Sequence, residues 1–166
     1  MQNAEGQQII INLAEQTLRL LDDDESVMHF SVSTAANGAG EQSGSECTPR
    51  GRHVIRAKIG QDCPVNTVFV GRRPTGEIYS RQLGGLFPDR DWILTRILWL
   101  SGTQPGINRF GQVDTMRRYI YIHGSPDETV MGVPGSHGCI RMHNDDVVRL
   151  FNHVRAGTPV TIVDSE

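Results

Sequence analysis

Short apolar runs of strand length alternate with polar turns in the first third of the chain. Residues 9–13 and 17–21 are two such runs, rich in isoleucine and leucine, and they predict a β-hairpin. Four consecutive acidic residues at 22–25 predict a turn whose charge also opposes aggregation at the strand end. The alternation over 27–34 predicts a third strand. Residues 35–47 are rich in glycine, serine and asparagine and predict an exposed loop.

The middle of the chain continues this alternation of runs and turns. The turn Thr48-Pro49-Arg50-Gly51 leads into a predicted strand at 53–57. A further strand is predicted at 67–70, and the residues at 72–76 are of the types that form a turn after it. The nine residues 92–100 are strongly apolar but few for a helix, so we predict a buried strand.

The last third of the chain contains the clearest helix. Residues 118–122 predict a strand that carries His123 at its C-terminal end. A helix is predicted over about 144–155, with Asn144 as its N-cap and two acidic residues in its first turn. Its apolar stripe has helical spacing. The stripe consists of Val147, Leu150, Phe151 and Val154. Residues 158–163 predict a closing strand.

These elements predict a mainly β protein with one helix near the C-terminus. We find no repeat, low-complexity segment or domain boundary, and therefore expect one domain over residues 1–166. The hydrophobic content of 37% and charged content of 21% are typical of a soluble globular protein. A net charge of -3 and the lack of a basic block argue against nucleic-acid binding. We interpret the arginine pairs at 72–73 and 117–118 as solvated strand ends.

Compartment is indicated by the cysteines and by the start of the chain. No apolar run approaches the ~18–20 residues that a membrane span needs. Residues 1–8 lack the basic and apolar regions of a signal peptide. The three cysteines, Cys47, Cys63 and Cys139, are an odd number, which favours a reducing compartment, although a Cys47–Cys63 disulfide stays open. We expect a cytoplasmic protein, or a periplasmic one if the chain has been trimmed.

Candidate chemistry lies in a segment with two histidine–glycine pairs and one cysteine. His123-Gly124 precedes His137-Gly138-Cys139 by a short stretch. The thiolate is the nucleophilic form of cysteine, and a nearby imidazole is the usual group that generates it. The residues that flank the cysteine are small or polar, and a structural thiol would be surrounded by apolar ones. The sequence therefore predicts Cys139 as a covalent nucleophile.

Two histidines are candidates for the catalytic base. If residues 137–139 are extended, His137 and Cys139 share a face, with Cα atoms about 6.5–7 Å apart. His123 ends a different predicted strand and can reach across to the thiol. The residues alone leave this choice open. His143 is expected on the surface, just before the helix.

The same segment also raises the questions of a zinc site and of the role of Arg141. A zinc site is considered because four side chains here are of ligand type. They are His123, His137, Cys139 and His143. Their spacing matches neither C-x-x-C nor H-E-x-x-H, so we expect no metal. Arg141 either pairs with Asp145 or Asp146 or binds a substrate carboxylate through its planar guanidinium.

Taken together, the motifs resemble those of a known family. His123-Gly124-Ser125, Val130-Met131-Gly132 and the block SHGCIRM at 136–142 are similar to the signature of the L,D-transpeptidase (YkuD-type) enzymes of the bacterial cell wall. The turn at 48–51 is similar to the T-P-x-G turn of that family, and the hairpin at 9–21 to its first two strands. The resemblance covers nearly the whole chain, and its Ser-His-Gly-Cys block is the most specific part.

The resemblance implies a β-sandwich- or barrel-like catalytic domain and a cysteine acyltransferase without a cofactor. Such an enzyme cleaves the bond between the L-centre of a diamino acid and the terminal D-Ala of a peptidoglycan tetrapeptide stem. It implies that His123 is the base and that His137 shapes the pocket and orients the thiol. We expect backbone N–H groups at Gly138 and Cys139 to form an oxyanion hole. Substrate contacts are expected from Gly124, Ser136 and Arg141.

The chain departs from the family pattern in two respects. It shows no export signal or wall-binding module, and it carries an insertion at 87–111 that we expect to be a polar loop. A cytoplasmic enzyme would meet recycled muropeptides, so water is the favoured acceptor and L,D-carboxypeptidase the favoured activity. The alternatives are a periplasmic transpeptidase that forms cross-links and a non-catalytic protein that binds wall fragments. The sequence does not indicate an oligomeric state.

Overall fold

A computed structural model describes residues 6–166 of the chain. The predictions that concern residues 1–5, the polar start and the first part of the expected domain, lie outside the described residues. The strands are β1 (Gln7–Asn12), β2 (Thr17–Asp22), β3 (Glu25–Ser31), β4 (Gly51–Ile59), β5 (Thr67–Val70), β6 (Arg73–Ile78), β7 (Ile93–Gly102), β8 (Tyr121–Ser125), β9 (Ile140–His143) and β10 (Pro159–Val163). The helices are α1 (Arg81–Leu86) and α2 (Asn144–His153), with a 3₁₀ turn at Gly111–Val113.

All strands of the described part belong to one curled sheet that forms a half-barrel. Its main path has the order β3-β2-β1-β10-β4-β7-β5-β6. Strand β7 also pairs with β8, and β8 pairs with β9 in parallel. The sheet therefore branches at β7, and the branch carries both histidine–glycine motifs. The prediction of a mainly β fold is confirmed.

The hairpin at the start of the chain forms as predicted. In the antiparallel β1–β2 pair, Ile9 lies opposite Leu20 and Ile11 opposite Leu18, and all four side chains are buried. The predicted closing strand is β10, which runs parallel to β1 and antiparallel to β4. The length and apolar composition of the two runs were sufficient for this prediction, because one face of each strand is buried in the core.

Helix α2 covers the core side of the sheet. Its residues Val147, Leu150 and Phe151 are buried in the same cluster as the hairpin. At the helix end, the ammonium of Lys58 donates to the carbonyl oxygens of Phe151 at 2.6 Å and Val154 at 2.8 Å. These bonds satisfy carbonyl groups that have no partner within the helix. The amphipathic stripe was thus predicted correctly.

Several predicted boundaries were wrong for physical reasons. The segment 72–76 is mostly strand β6, because the chain turns at Gly71-Arg72, where both residues have positive φ as a two-residue type I′ turn requires. The strand predicted at 118–122 begins at Tyr121, so His123 lies at its centre. The N-cap of α2 is His143 rather than Asn144. Helix α1, whose N-cap Ser80 accepts from the Leu83 N–H, was not predicted.

The expected polar insertion at 87–111 was also wrong. This range contains the ten residues of β7, which pairs with β4, β5 and β8. Five consecutive β7 residues, from 94 to 98, are buried. The segment is therefore the central strand of the fold, as its apolar run at 92–100 predicted, with polar turns on either side.

Candidate active site

The parallel pair β8–β9 brings the two histidine–glycine motifs together. In this pair Ile122 lies opposite Ile140, and both side chains point into the core against α2. Because side chains alternate along a strand, His123 points to the opposite face. Cys139, one residue before β9, packs on that face with Tyr121. The imidazole and the thiol therefore share the outer face of two adjacent strands.

The thiol of Cys139 is held by the backbone of two tyrosines. The Tyr121 N–H donates to Sγ, and the S–H donates to the Tyr119 carbonyl oxygen, each at 3.4 Å. Burial raises the pKa of Cys139 to about 12, while the Tyr121 N–H and the charges of Arg118 and Arg141 act in the opposite direction. The resting protein therefore holds a protonated thiol rather than a preformed thiolate.

His123 is fully buried, and its tautomer follows from its hydrogen bond. Its Nδ1 lies 2.6 Å from the carbonyl oxygen of Gly124, which can only accept, so Nδ1 carries the proton. Its Nε2 is buried and has no partner among residues 6–166. Burial lowers the pKa of His123, so the ring is neutral near pH 7. The unpartnered nitrogen is a lone-pair acceptor, which is the form that a general base requires.

The loop that carries the cysteine is fixed by two hydroxyl groups. Ser136 Oγ donates to the Cys139 carbonyl at 2.6 Å and accepts from the Gly138 N–H at 3.1 Å. Thr48 Oγ1 donates to the Gly138 carbonyl at 2.9 Å and accepts from the Ala35 N–H at 3.0 Å. The threonine of the T-P-x-G turn therefore positions the loop that carries Cys139. Ser136, expected to contact substrate, has its hydroxyl engaged within this loop.

Gly124 lies underneath the histidine rather than on an open surface. A Cβ at this position would lie 2.6 Å from the Leu94 carbonyl oxygen and 3.0 Å from the Thr95 Cβ, closer than packed atoms approach. Thr95 has a φ of 75° and donates through Oγ1 to Asn144 Oδ1 at 2.6 Å. Asn144 is turned inward to this bond, which explains why it does not cap α2. Gly124 as a substrate contact stays a prediction; the structure shows it supporting His123.

A cleft of about 500 Å³ opens beside the thiol. The residues of its wall that bear on the chemistry are Arg72, Asp91, Arg118, Tyr119, His137 and Cys139. His137 is exposed at the rim, where a substrate can reach it. Arg118 is half-buried and donates to carbonyl groups of the 40–47 loop, including Cys47 O at 2.6 Å. Of the predicted site residues, the cleft wall therefore contains His137 and Cys139 together with two arginines that were not predicted, whereas His123 is not part of the wall.

Three arginines lie in surroundings that differ from those predicted from the sequence. Arg141 pairs with Asp91 at 3.2 Å, rather than with the acids of α2, and donates to the Gly135 carbonyl. Arg72 and Arg118 line the cleft, so the interpretation of the arginine pairs as solvated strand ends was wrong for these two residues. Arg73 and Arg117 are exposed. In the sequence, the signal for Arg72 and for Arg118 as cleft residues was a second arginine next to each of them at a turn. Their partners lie far away in sequence, which the local pattern does not show.

The structure also shows the surroundings of His143 and of the three cysteines. His143 is exposed at the end of β9, as expected. All three cysteines are free thiols, so the Cys47–Cys63 disulfide that stayed open does not form. In the described range 6–166, no group of three or more histidine, cysteine or acidic side chains is arranged to hold a metal ion. No helix of that range is both long and apolar enough to cross a membrane.

Two curated relatives are similar in sequence to this chain. The putative L,D-transpeptidase YqjB of Bacillus subtilis strain 168 is 47% identical over 156 residues, covering 94% of this chain and 70% of that protein. The putative L,D-transpeptidase YkuD of the same organism is 36% identical over 93 residues, covering 54% of this chain and 44% of that protein.

Solved structures extend the comparison of folds. L,D-transpeptidase 3 from Mycobacterium tuberculosis, in complex with a faropenem-derived adduct, has a TM-score of 0.58 at 17% identity. The match covers 97% of this chain and 60% of that one. The LD transpeptidase LdtMt1 in complex with imipenem has a TM-score of 0.56 at 17% identity, covering 95% and 59%. The chain spans less than two thirds of the length of these solved structures.

The sequence profile of the L,D-transpeptidase catalytic domain (YkuD) matches residues 6–162. This range includes the hairpin, the branch of the sheet with both histidine–glycine motifs, and most of β10. The chain therefore belongs to the L,D-transpeptidase catalytic domain family.

Proposed function

We propose that the protein is a cysteine acyltransferase that acts on peptidoglycan tetrapeptide stems through a thioester on Cys139. The observation that carries the proposal is the buried Nε2 of His123. This nitrogen is unprotonated, has no partner among residues 6–166 and shares the outer face of β8–β9 with the thiol. A buried acceptor without a donor raises the free energy of the folded protein, so its presence points to a functional role. Accepting the thiol proton is such a role.

The first half of the reaction forms the thioester. As Sγ attacks the carbonyl carbon of the diamino acid, its proton moves to Nε2 of His123, and the carbon–nitrogen bond to D-Ala then breaks. The imidazolium returns the proton to the leaving amine, which departs as D-Ala. The carbonyl oxygen of Gly124 stabilises the transient charge on the ring through Nδ1–H. Proton transfer during attack, rather than a standing thiolate, is consistent with the raised pKa of Cys139.

The developing oxyanion needs donors beside the nucleophile. The sequence predicts this role for the N–H groups of Gly138 and Cys139. The Gly138 N–H donates to Ser136 Oγ in this structure, so its use would require that bond to open. We therefore assign the oxyanion first to the Cys139 N–H. The positive φ of Gly138, 134°, keeps this turn in a form that a side chain rarely adopts.

A second question is whether an amine or water attacks the thioester. The cleft continues into two smaller hollows, one of about 230 Å³ past His137 and one of about 170 Å³ past Asp91. This additional space beside the cleft supports the binding of a second peptide, and hence an amine acceptor and transpeptidation. Hydrolysis by water is the alternative. The earlier preference for water depended on a cytoplasmic location, which stays a prediction.

Product analysis tests this proposal. The protein is incubated with a disaccharide-tetrapeptide, with and without a D-amino acid as amine acceptor, and the products and the intact protein are measured by mass spectrometry. We expect release of D-Ala, a thioester on Cys139 and an exchange product. Cys139→Ala should form no thioester, whereas the matched control Cys63→Ala should behave as wild type. Tripeptide as the main product at every acceptor concentration would favour the carboxypeptidase, and adducts on Cys47 or Cys63 would contradict the mechanism.

A further inference from the structure

Arg72 occupies an unusual backbone position beside the active-site cleft. It is the second residue of the two-residue turn between β5 and β6, with a φ of 65°. Glycine and asparagine are the residues that normally adopt this left-handed conformation, because a longer side chain is strained there. Strained residues of this kind cluster at functional sites, where surrounding contacts hold them.

The side chain of Arg72 is held by three aromatic residues. Its guanidinium carbon lies 4.6 Å from the ring centroid of Trp99 and 4.8 Å from that of Tyr119. Its Nη1 donates to the hydroxyl of Tyr121 at 2.9 Å. Stacking and a hydrogen bond fix the plane of the guanidinium, so little conformational freedom remains to be lost on binding.

The same two tyrosines hold the nucleophile. The backbone of Tyr119 and Tyr121 makes the two hydrogen bonds to the Cys139 thiol, while their side chains contact Arg72. The thiol and the guanidinium therefore stand at opposite ends of one pair of residues. Both line the same cleft. A peptide whose carbonyl carbon reaches Sγ thus passes close to Arg72.

Arg72 is also the cleft arginine whose charge is least satisfied. Arg141 is paired with Asp91, and Arg118 donates to the carbonyl groups of Gly40 and Cys47. Among residues 6–166, Arg72 takes part in no ion pair. Its one hydrogen bond, to a neutral hydroxyl, leaves several N–H donors for a ligand.

We propose that Arg72 binds a free carboxylate of the donor stem peptide and thereby selects stems in which that group is not amidated. This inference rests on the proposed function and adds to it the recognition of the donor. A planar guanidinium pairs with a carboxylate through two parallel hydrogen bonds, which a carboxamide cannot reproduce. A stem peptide carries such groups at its C-terminus and, when the diamino acid is diaminopimelate, on that residue.

Binding to an inactive protein tests the proposal. In a Cys139→Ser background, dissociation constants are measured by calorimetry for a diaminopimelate tetrapeptide and for analogues with one carboxylate at a time converted to a carboxamide. Arg72→Met should weaken binding of the free acid about tenfold to a hundredfold, the range of a hydrogen bond between charged groups. Arg72→Lys should fall in between, because it keeps the charge and loses the planar fork.

The amide series identifies the group that Arg72 binds. One analogue, the terminal amide or the diaminopimelate amide, should bind the unsubstituted Arg72 protein as weakly as the free acid binds Arg72→Met, with no further loss when both changes are combined. Arg73→Met, at the exposed neighbour on the same turn, should bind the free acid unchanged.

Three outcomes would overturn the inference: equal affinity of the Arg72 protein for the acid and all amides, equal losses in Arg72→Met and Arg73→Met, or no binding of any stem peptide. Failure of the proposed function would be seen separately, as the absence of a Cys139 thioester in the unsubstituted protein.

Discussion

The two faces of the β8–β9 pair show how differently packing and chemistry are encoded. On the inner face, Ile122, Ile140 and Met142 are fully buried in a hydrophobic cluster and make only apolar side-chain contacts there. On the outer face, His123 is fully buried and Cys139 is partly buried. The Nε2 of His123 has no hydrogen-bond partner among residues 6–166. The inner face lowers the free energy of folding, whereas the outer face retains unsatisfied polar groups that catalysis can use. Substitutions on the two faces should therefore have separable effects.

The largest effect is expected at the nucleophile. Cys139→Ser replaces the thiol by a hydroxyl of much higher pKa, which the His123 imidazole is poorly matched to deprotonate. Turnover of tetrapeptide should fall by several orders of magnitude, while the thermal midpoint changes little. Steady-state D-Ala release and calorimetric unfolding measure the two quantities. Residual turnover within tenfold of wild type would show that another residue forms the acyl-enzyme.

The next effect separates the two histidines. His123→Ala should reduce kcat by about 10²–10⁴, the usual contribution of general acid–base catalysis. His137→Ala, at the exposed rim, should cost less, and His143→Ala serves as a control away from the cleft. Because His123 is neutral at rest, its loss should slow catalysis rather than raise the pKa of the thiol through a lost charge. If His137→Ala has the larger effect, the two roles must be exchanged.

The third prediction concerns the pH dependence of the thiol. Burial raises the pKa of Cys139 to about 12, so below that pH the thiolate fraction rises tenfold per pH unit. Alkylation of Cys139 by iodoacetamide should therefore increase about a hundredfold from pH 7 to pH 9 and continue to rise at pH 10. An unperturbed cysteine, with a pKa of about 8.5, would level off in this range. Site-resolved mass spectrometry gives the rates, and a plateau near pH 9 would show that the thiol is not shielded.

A smaller effect is expected at Gly124, the residue that follows His123 in β8. Gly124→Ala places a Cβ against the Leu94 carbonyl and Thr95, and overpacking of this kind costs about 1–3 kcal/mol. Because the Gly124 carbonyl orients His123, kcat should fall together with stability. Chemical denaturation and kinetics of the folded fraction measure both. Gly85→Ala, where a Cβ meets no atom within 4 Å, is the control; a loss of stability with unchanged kcat would remove Gly124 from the positioning of His123.

The smallest effect is expected on the inner face. Ile140→Val removes one methyl group from the fully buried cluster and should cost about 0.5–1.5 kcal/mol. The outer face keeps its hydrogen bonds, so kcat per folded molecule should stay unchanged although residue 140 is adjacent to the nucleophile. Urea denaturation and steady-state kinetics test the pair of expectations. A tenfold change in kcat would show that the faces are coupled.

The inner face was predictable from the sequence, and most of the outer face was not. The apolar runs of the hairpin and the helical spacing in α2 are local patterns, so these two elements and the apolar stripe with Leu150 could be predicted without knowledge of distant contacts. The motif around Cys139 indicated the family and the candidate nucleophile. Asp91, Arg72 and Thr48 reach the same site from distant elements. The T-P-x-G turn and the arginine pair mark two of these positions in the sequence, but neither pattern shows which residues they contact. Asn144 shows the same limit, because its bond to Thr95 displaces the capping role that its position suggested.

The bond between Thr48 and Gly138 joins residues that are 90 positions apart, and it is one of the contacts that hold the nucleophile loop. Contacts of such long sequence separation form late, because the entropy of closing a long loop must be overcome first. A nascent or partly folded chain has a cysteine in this motif but neither the tyrosine backbone nor the buried imidazole around it. The acyl transfer proposed for Cys139 therefore requires a molecule that has completed its folding, and the thiol has the surroundings of an ordinary cysteine until then.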